Sequence, residues 1–280
     1  MDLNTITDVA RPRRRTDLPA WRDGDAWLAG GTWLFSEPQI AVSRLIDIAD
    51  LAWPALQISE QGLHIAATCK IAELDGMTVP ANWTAAPLFN QCCRSFLASF
   101  KIWNAATVGG NICMALPAGP MISLTAALDG ICTIWTPEGK ERRVTILDFV
   151  LGPQRNALAR GELLRLIHLP LSALRLRTAF RQISLSPLGR SAALLIGTLS
   201  PDTGDFALTI TASTPRPMQL AFPALPSPTL LRETIEQTIP QSLYYNDVHG
   251  KPAWRRHITL HFAEEIRSEL AGKDSAKDSA

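Results

Sequence analysis

The chain is organised around six residues near its middle, Thr107-Val108-Gly109-Gly110-Asn111-Ile112. A second pair of adjacent glycines lies far upstream, in the stretch Trp27-Leu28-Ala29-Gly30-Gly31-Thr32-Trp33-Leu34. Glycine adopts positive φ angles and lets a ligand or another backbone approach closely. Successive backbone N–H groups in such a turn can converge on an anion. The two stretches therefore predict two anion-binding loops, which could share the two phosphates of a pyrophosphate.

The spacing of these glycines is not specific by itself. A Gly-Gly pair is most often only a turn, and neither stretch is a GxGxxG or a GxxxxGK[ST] motif. The two stretches therefore give no indication of a Rossmann fold or of a P-loop.

Five segments in the same order resemble the FAD-binding medium subunits of the molybdenum hydroxylases, the family of carbon monoxide dehydrogenase and xanthine dehydrogenase. The two glycine stretches are similar to the family's two FAD-pyrophosphate loops. The other three segments are Leu116–Gly130, Gly152–Pro170 and Asp247–Arg256. The match runs from about residue 26 to residue 262, and five ordered segments are more specific than any one of them.

The resemblance implies an α+β fold, which the mixed order of predicted strands and helices supports. A PCMH-type FAD-binding domain is expected at residues 1–170, made of two α/β subdomains at about residues 1–50 and 51–170. A C-terminal domain is expected at residues 171–272, with a three-stranded antiparallel sheet and helices. The polar residues 273–280 are predicted to be a disordered tail.

Apolar periodicity predicts the main helices at residues 85–100, 121–128 and 252–271. A short helix is also predicted directly after the first glycine pair. The segment 214–228 is rich in proline and is interpreted as a link. One face of the last helix is predicted to hold Trp254, Ile258, His261, Phe262 and Ile266.

The resemblance also implies a cofactor and its contacts, mainly through main-chain N–H groups and the side chains of Thr32, Thr107 and Asn111. The implied FAD-binding residues are Ala29, Gly30, Gly31, Thr32 and Trp33 in the first stretch and Thr107, Val108, Gly109, Gly110 and Asn111 in the second. A flavin carries the redox chemistry itself, so no catalytic side chain is expected.

Two partner subunits are implied in the same way. An iron–sulfur subunit would pass electrons to the FAD, and the electrons would leave to NAD⁺, dioxygen or another acceptor. A large molybdopterin-binding subunit would oxidise a small purine-like, heteroaromatic or aldehyde substrate. The chain is thus predicted to be the electron-transferring flavoprotein subunit of an oxidoreductase heterotrimer.

Composition fits a cytoplasmic protein of this kind. The 280 residues are 46% hydrophobic and carry a net charge of +1, which gives no case for nucleic acid or a membrane surface as the main partner. No targeting segment is recognised, and no apolar run approaches the roughly 18 residues of a membrane span. The five cysteines contain no CxxC, so the iron–sulfur clusters and the molybdopterin are expected only in the partners. His257 and His261 lack the glutamate of HExxH, and no metal is expected.

Three positions depart from the family's pattern. Pro120 stands where an aspartate usually contacts the adenosine of FAD, Trp103 where a basic residue is usual, and Asn156 where threonine is frequent. An aromatic ring at Trp103 could stack on the cofactor. Both glycine stretches are intact, so FAD binding is expected to survive these changes. Pro120 and Trp103 nevertheless motivate one alternative, an assembly subunit that has lost FAD. A second alternative is a stand-alone flavin enzyme of similar fold, such as an enolpyruvyl-sugar reductase.

Overall fold

The chain forms three main β-sheets, one after another along the sequence. The computed structural model describes residues 3–187 and 189–272. The predicted disordered tail, residues 273–280, lies outside the described residues. Within the described ranges, no helix combines the length and the hydropathy of a membrane span.

The first sheet has three parallel strands and carries the first glycine stretch at the end of one of them. Its strands are β1 (Asp8–Ala10), β2 (Asp25–Leu28) and β3 (Arg44–Asp47), and β3 lies between the other two. The prediction of a short helix after Gly30-Gly31 is wrong. The chain forms only a turn there, in which the Phe35 amide donates to the carbonyl oxygen of Gly31. Pro38 prevents a continuation, since the residue before a proline avoids helical angles.

The second sheet is antiparallel and has helices on one face. The strands of this region are β4 (Leu56–Ser59), β5 (Gly62–Ala66), β6 (Ile131–Trp135), β7 (Glu141–Thr145), β8 (Val150–Gly152), β9 (Arg155–Asn156) and β10 (Leu163–Pro170). The strand order of the sheet is β4-β5-β10-β6-β7, and β8 and β9 form a separate hairpin. The helices are α1 (Ile71–Asp75), α2 (Pro87–Ser95), α3 (Phe100–Trp103), α4 (Val108–Met114), α5 (Pro120–Ala127), α6 (Ile146–Phe149) and α7 (Leu171–Leu174).

The helix predicted over residues 85–100 is shorter in the structure. It begins at Pro87, a residue suited to the first turn of a helix, and ends at Ser95. The chain then leaves the helical conformation at Phe96, whose ψ is 81°. The carbonyl oxygen of Phe96 accepts a hydrogen bond of 3.0 Å from the Trp103 indole. This bond folds α3 back onto the end of α2, which local periodicity does not predict.

The third sheet has four antiparallel strands in sequence order, not the predicted three. The proline-rich segment supplies the additional edge strand, because Pro217 and Pro223 flank its five residues rather than interrupt them. The strands are β11 (Arg177–Ile183), β12 (Ala193–Leu199), β13 (Phe206–Thr211) and β14 (Met218–Phe222), and the helices are α8 (Pro228–Thr238) and α9 (Pro252–Gly272).

The last helix buries a different face from the predicted one. A Cβ on Gly197 of β12 would lie 2.2 Å from the Ile266 side chain, so the helix lies directly on the sheet. Small side chains such as Thr259 and Ala263 permit this approach. The buried residues of α9 are Arg255, Thr259, Ala263, Ile266 and Leu270.

The second and third sheets share a hydrophobic core. Leu194, Ile196 and Ala212 of the third sheet region belong to the core cluster of the second. Helix α5 is buried along its whole length between them, and its Ser123 hydroxyl lies 2.6 Å from that of Thr211. This core crosses residue 170, and the predicted domain boundary there stays a prediction.

Candidate functional site

A cleft of about 820 Å³ lies where the two glycine stretches meet. Its volume is within the roughly 300–1,000 Å³ of typical ligand pockets. Three stretches of the chain and three further residues, far apart in sequence, line it. They contribute Trp27–Leu34 and Gln39; Ser95–Leu97 and Ile102; Ala106, Thr107, Gly110, Asn111, Cys113, Met114, Leu116 and Ala118–Pro120; and Gln154, Arg190 and His249.

The first glycine stretch presents a run of unpaired backbone donors at the cleft. The amides of five consecutive residues donate no hydrogen bond to the described part of the chain. Gly31 has a φ of +69°, the left-handed conformation that reverses the direction of successive N–H groups. Adjacent unpaired amides in such a turn are a donor set for an anion. The five residues are Gly30, Gly31, Thr32, Trp33 and Leu34.

Gly30 has a packing role in addition to its place at the cleft. A Cβ at this position would lie 2.1 Å from the carbonyl oxygen of Ala105. The expected close approach therefore exists, but the approaching group is the chain's own backbone. The first stretch and the segment that leads into Thr107 can meet only because residue 30 has no side chain.

The second glycine stretch forms the start of a helix rather than the predicted loop, and its contact with a phosphate stays a prediction. Residues Val108–Met114 form helix α4, and neither Gly109 nor Gly110 has a positive φ. The Gly110 amide donates to the hydroxyl of Thr107, the N-cap residue, at 3.0 Å. The amides of Val108 and Gly109 donate to the carbonyls of Cys69 and Ala67 at 2.8 and 3.0 Å. The main-chain donors of this first helical turn are therefore already paired within the protein.

The two glycines of α4 face opposite sides of the helix. A Cβ on Gly109 would lie 2.5 Å from the Cβ of Ala67, so this glycine permits close packing on the core side. A Cβ on Gly110 would have only the Thr107 hydroxyl within 3 Å, because this residue faces the cleft. Of the ten predicted binding residues, Val108 and Gly109 do not line the cleft, whereas the other eight do.

Two side chains of the second stretch keep donors available beside the cleft. The Thr107 oxygen accepts the Gly110 amide, which leaves the hydroxyl proton of Thr107 for a ligand. The Asn111 Oδ1 accepts the Met121 amide at 3.1 Å and so connects α4 to the start of α5. The Asn111 Nδ2 has no hydrogen-bond partner among the described residues. These two side chains are thus the polar contribution of α4 to the cleft.

The three departures from the family's pattern have separate structural outcomes. Pro120 lines the cleft in the first turn of α5, so no carboxylate is present there. Trp103 does not line the cleft and packs against the core, a position that does not favour stacking on the cofactor. Asn156 donates to the Cys113 carbonyl oxygen at 2.7 Å and accepts from the Leu158 amide at 2.9 Å. Its role is to attach β9 to the end of α4.

Several lining residues were not anticipated. Phe96, Leu97, Ile102, Met114 and Leu116 form apolar walls, and of these only Leu116 belongs to a segment that resembles the family. His249 lies within the Asp247–Arg256 motif, which is a signal that sequence reasoning could have used, whereas nothing in the sequence marks Arg190.

The electrostatics of the cleft suit an anionic ligand. None of its described lining residues is an aspartate or a glutamate, whereas Arg190 brings a positive charge. The Cys113 thiol is uncharged at neutral pH, because burial raises its pKa to about 12. Nor do the described residues form a group of three or more histidine, cysteine or acidic side chains that could hold a metal ion.

The amino-acid sequence of this chain is similar to those of known proteins. Residues 16–172 match the family described as the FAD binding domain in molybdopterin dehydrogenase. The caffeine dehydrogenase subunit beta of Pseudomonas sp. (strain CBB1) is 25% identical over 183 residues, which are 64% of this chain and 61% of that one. Xanthine dehydrogenase 1 of Arabidopsis thaliana is 27% identical over 128 residues, which are 41% of this chain and 9% of that one. The match thus spans about three fifths of the first relative and about a tenth of the second.

Solved structures share the fold over nearly the whole chain. Quinoline 2-oxidoreductase from Pseudomonas putida 86 has a chain that superposes with a TM-score of 0.78 at 18% identity, covering 98% of this chain and 99% of that one. Reconstituted CO dehydrogenase from Oligotropha carboxidovorans has a chain that gives 0.78 at 20% identity, covering 92% and 95%. At these identities the likeness establishes a common fold.

Proposed function

Because the chain belongs to the family of FAD-binding domains of molybdopterin dehydrogenases, we propose that it is the FAD-binding subunit of a molybdenum hydroxylase. The proposed position of FAD is the cleft between the first glycine stretch and α4. The observation that carries this proposal is the run of five amides at Gly30–Leu34 that are unpaired within the described part of the chain and form a donor set for an anion. A hydrogen bond to a charged group contributes roughly 1.5–3 kcal/mol, so a few of these amides would hold a diphosphate.

The residues that line the cleft fit FAD, although the two sides of the cleft offer different kinds of hydrogen-bond donor. The first stretch would supply main-chain N–H groups, whereas α4 would supply only the Thr107 hydroxyl and the Asn111 amide. The apolar walls near Phe96 and Met114 suit aromatic rings. Bound FAD would supply the redox chemistry, while the chain binds it, orients it and excludes water.

The proposed partners are an iron–sulfur subunit and a molybdopterin-binding subunit, since this chain offers no described metal cluster of its own. Electrons would pass from the iron–sulfur partner to FAD and then to NAD⁺ or another acceptor. The names of the relatives support a small purine-like or heteroaromatic substrate for the assembled enzyme. A cytoplasmic location is proposed as well, because the five cysteines are free thiols.

The second candidate is an assembly subunit that has lost FAD. Pro120 favours it, because the cleft offers no carboxylate at the start of α5 for the ribose hydroxyls of an adenosine. The two candidates agree on fold and on partners. They differ only in whether the chain retains a flavin.

Retention of FAD by the purified full chain separates the two candidates. The protein is incubated with FAD, freed of unbound cofactor and examined by visible absorption, with riboflavin as a parallel ligand. We expect a flavin spectrum that stays with the protein for FAD and not for riboflavin, because riboflavin has no phosphates for the amides of Gly30–Leu34. A colourless protein after both incubations would refute FAD binding and support the assembly role. Equal retention of riboflavin would refute the role of the amides.

A further inference from the structure

Arg255 is the largest fully buried side chain in the described part of the protein, and it lies in the first turn of α9. Its guanidinium donates to three backbone carbonyl oxygens and one carboxylate. The Nε donates to Gly250 at 3.1 Å, the Nη1 to Ala192 at 3.0 Å and also to Ala212, and the Nη2 to Asp247 Oδ1 at 2.5 Å. One side chain therefore joins three segments that are distant in sequence.

Each of these segments leads to a residue that lines the cleft. The turn that contains Asp247 and Gly250 also contains His249, whose amide donates to the Asp247 carboxylate at 2.8 Å. Arg190 lies two residues before Ala192. The Ala212 amide donates to the Pro117 carbonyl oxygen at 2.8 Å, within the loop that lines the cleft on the α5 side.

We propose that Arg255 is the positioning residue for a third side of the FAD site, which the C-terminal sheet supplies through His249 and Arg190. This inference rests on the proposed function. The two glycine-containing sides cannot enclose the cofactor alone, since His249 and Arg190 complete the lining of the cleft. Arg255 touches neither the cleft nor the cofactor, because its side chain is only 1% exposed.

The chemistry of the side chain explains why arginine occupies this position. Arginine has five N–H donors in a rigid planar fork, whereas lysine has three on a single flexible atom. Four acceptors that lie on different sides of the group can be reached together only by the fork. Lysine at this position would leave at least one of the buried carbonyls without its donor, and the turn that carries His249 would be free to shift.

Arg181, on β11, provides a matched control because it pairs with the same helix. It pairs β11 with Glu265 and Glu269 of α9 at 2.7 and 2.8 Å, so it also attaches the helix to the sheet. Among the described residues, its side chain forms no hydrogen bond with a segment that lines the cleft. If Arg255 acted only by holding α9 on the sheet, replacing either arginine would have the same effect on FAD affinity.

The test uses the full chain and compares Arg255→Lys, Arg181→Lys, His249→Ala and the double variant Arg255→Lys with His249→Ala. Flavin fluorescence gives the dissociation constant of FAD for each variant. The visible spectrum is recorded at saturating FAD, and the melting temperature is measured in the absence of FAD. We expect Arg255→Lys to raise the dissociation constant about tenfold and to shift the flavin absorption band, and Arg181→Lys to do neither. The double variant should bind no more weakly than the weaker single variant, since both changes act on one contact.

Unchanged affinity in Arg255→Lys, or additive effects in the double variant, would overturn the positioning role. Absence of FAD binding in the unmodified chain would instead refute the proposed function, so the two failures are distinguishable. If Arg255→Lys does not fold, Asp247→Asn takes its place in the same cycle. It keeps the side-chain oxygen but weakens the bond to Arg255, and its effect on FAD affinity should also be non-additive with His249→Ala.

Discussion

Gly30 and Ala105 pack backbone against backbone, because a Cβ on Gly30 would lie 2.1 Å from the Ala105 carbonyl oxygen. The same oxygen accepts a hydrogen bond of 3.2 Å from the Lys70 ammonium group, so it has little freedom to move. This contact brings the unpaired amides of the first glycine stretch next to the N-cap of α4. The cleft therefore depends on an approach that any side chain at residue 30 would prevent.

Replacing Gly30 with alanine should separate the two sides of the cleft. The added Cβ would force the first glycine stretch away from Ala105, and overpacking of this kind costs about 1–3 kcal/mol. We expect FAD affinity to fall at least about tenfold together with a lower melting temperature. Gly152→Ala is the control, since a Cβ there meets nothing within 4 Å. Equal FAD affinity in both variants would contradict the contact.

The two glycines of α4 should respond to substitution in opposite ways. Gly110→Val places its branches in the cleft and disturbs only the Thr107 cap, a cap being worth about 1 kcal/mol. Gly109→Ala presses on the backbone of Ala67 instead. We expect Gly110→Val to lose FAD while it remains folded, and Gly109→Ala to lose thermal stability first. Visible spectra and thermal melting measure both, and the reverse pattern would show that the faces of α4 are assigned incorrectly.

The Cys113 thiol should react slowly with alkylating reagents, and bound FAD should slow the reaction further. It is partly exposed at the cleft, and burial raises its pKa to about 12, so only about one thiol in ten thousand is ionised at pH 8. We expect iodoacetamide to modify it slowly in the folded chain, faster as the pH rises, and still more slowly with FAD present. Peptide mass spectrometry gives the rates, with the urea-unfolded chain as the reference. A rate that FAD does not change would place the cofactor elsewhere.

The ion pair of Asp25 and Arg44 should add stability that acid removes. Hydrogen bonds from Arg44 at 2.7 and 2.6 Å hold the pKa of the buried Asp25 carboxyl below its ordinary value of 3.8. A lowered carboxyl pKa means that the contribution is complete above the ordinary value and is lost as the pH falls through the lower, folded value.

Asp25→Asn should therefore remove part of the acid dependence of the unfolding free energy. At neutral pH this variant leaves a buried guanidinium without its counter-ion, which costs about 3 kcal/mol or more. Urea unfolding from about pH 7 to pH 3 measures both effects. The control is Asp23→Asn, because the Asp23 side chain is 94% exposed in its pair with Arg160 and such pairs contribute about 1 kcal/mol at most. Matching curves for the two variants would refute the special role of Asp25.

Local sequence determined the parts of the structure whose causes lie within a few residues. The alternating Leu63 and Ile65 specify a strand with one buried face, and Asp129-Gly130 marks the end of α5. Likewise, the length of α9 follows from its uninterrupted helical residues after Pro252. Even the family could be recognised from short segments, because their order along the chain is preserved.

Tertiary structure decided which backbone amides of the two glycine stretches are paired, because the hydrogen-bond partner of an amide need not be near it in sequence. The amides of Val108 and Gly109 are paired by Cys69 and Ala67, about forty residues earlier, and this turns an expected anion-binding loop into a capped helix. The amides at Gly30–Leu34 find no such partner in the part of the chain that the structure describes, and they remain available at the cleft. Similarly, Arg190 and His249 reach the same cleft only because the third sheet packs on α5. Two glycine pairs of similar sequence thus acquire different backbone conformations and hydrogen-bond partners from their distant neighbours.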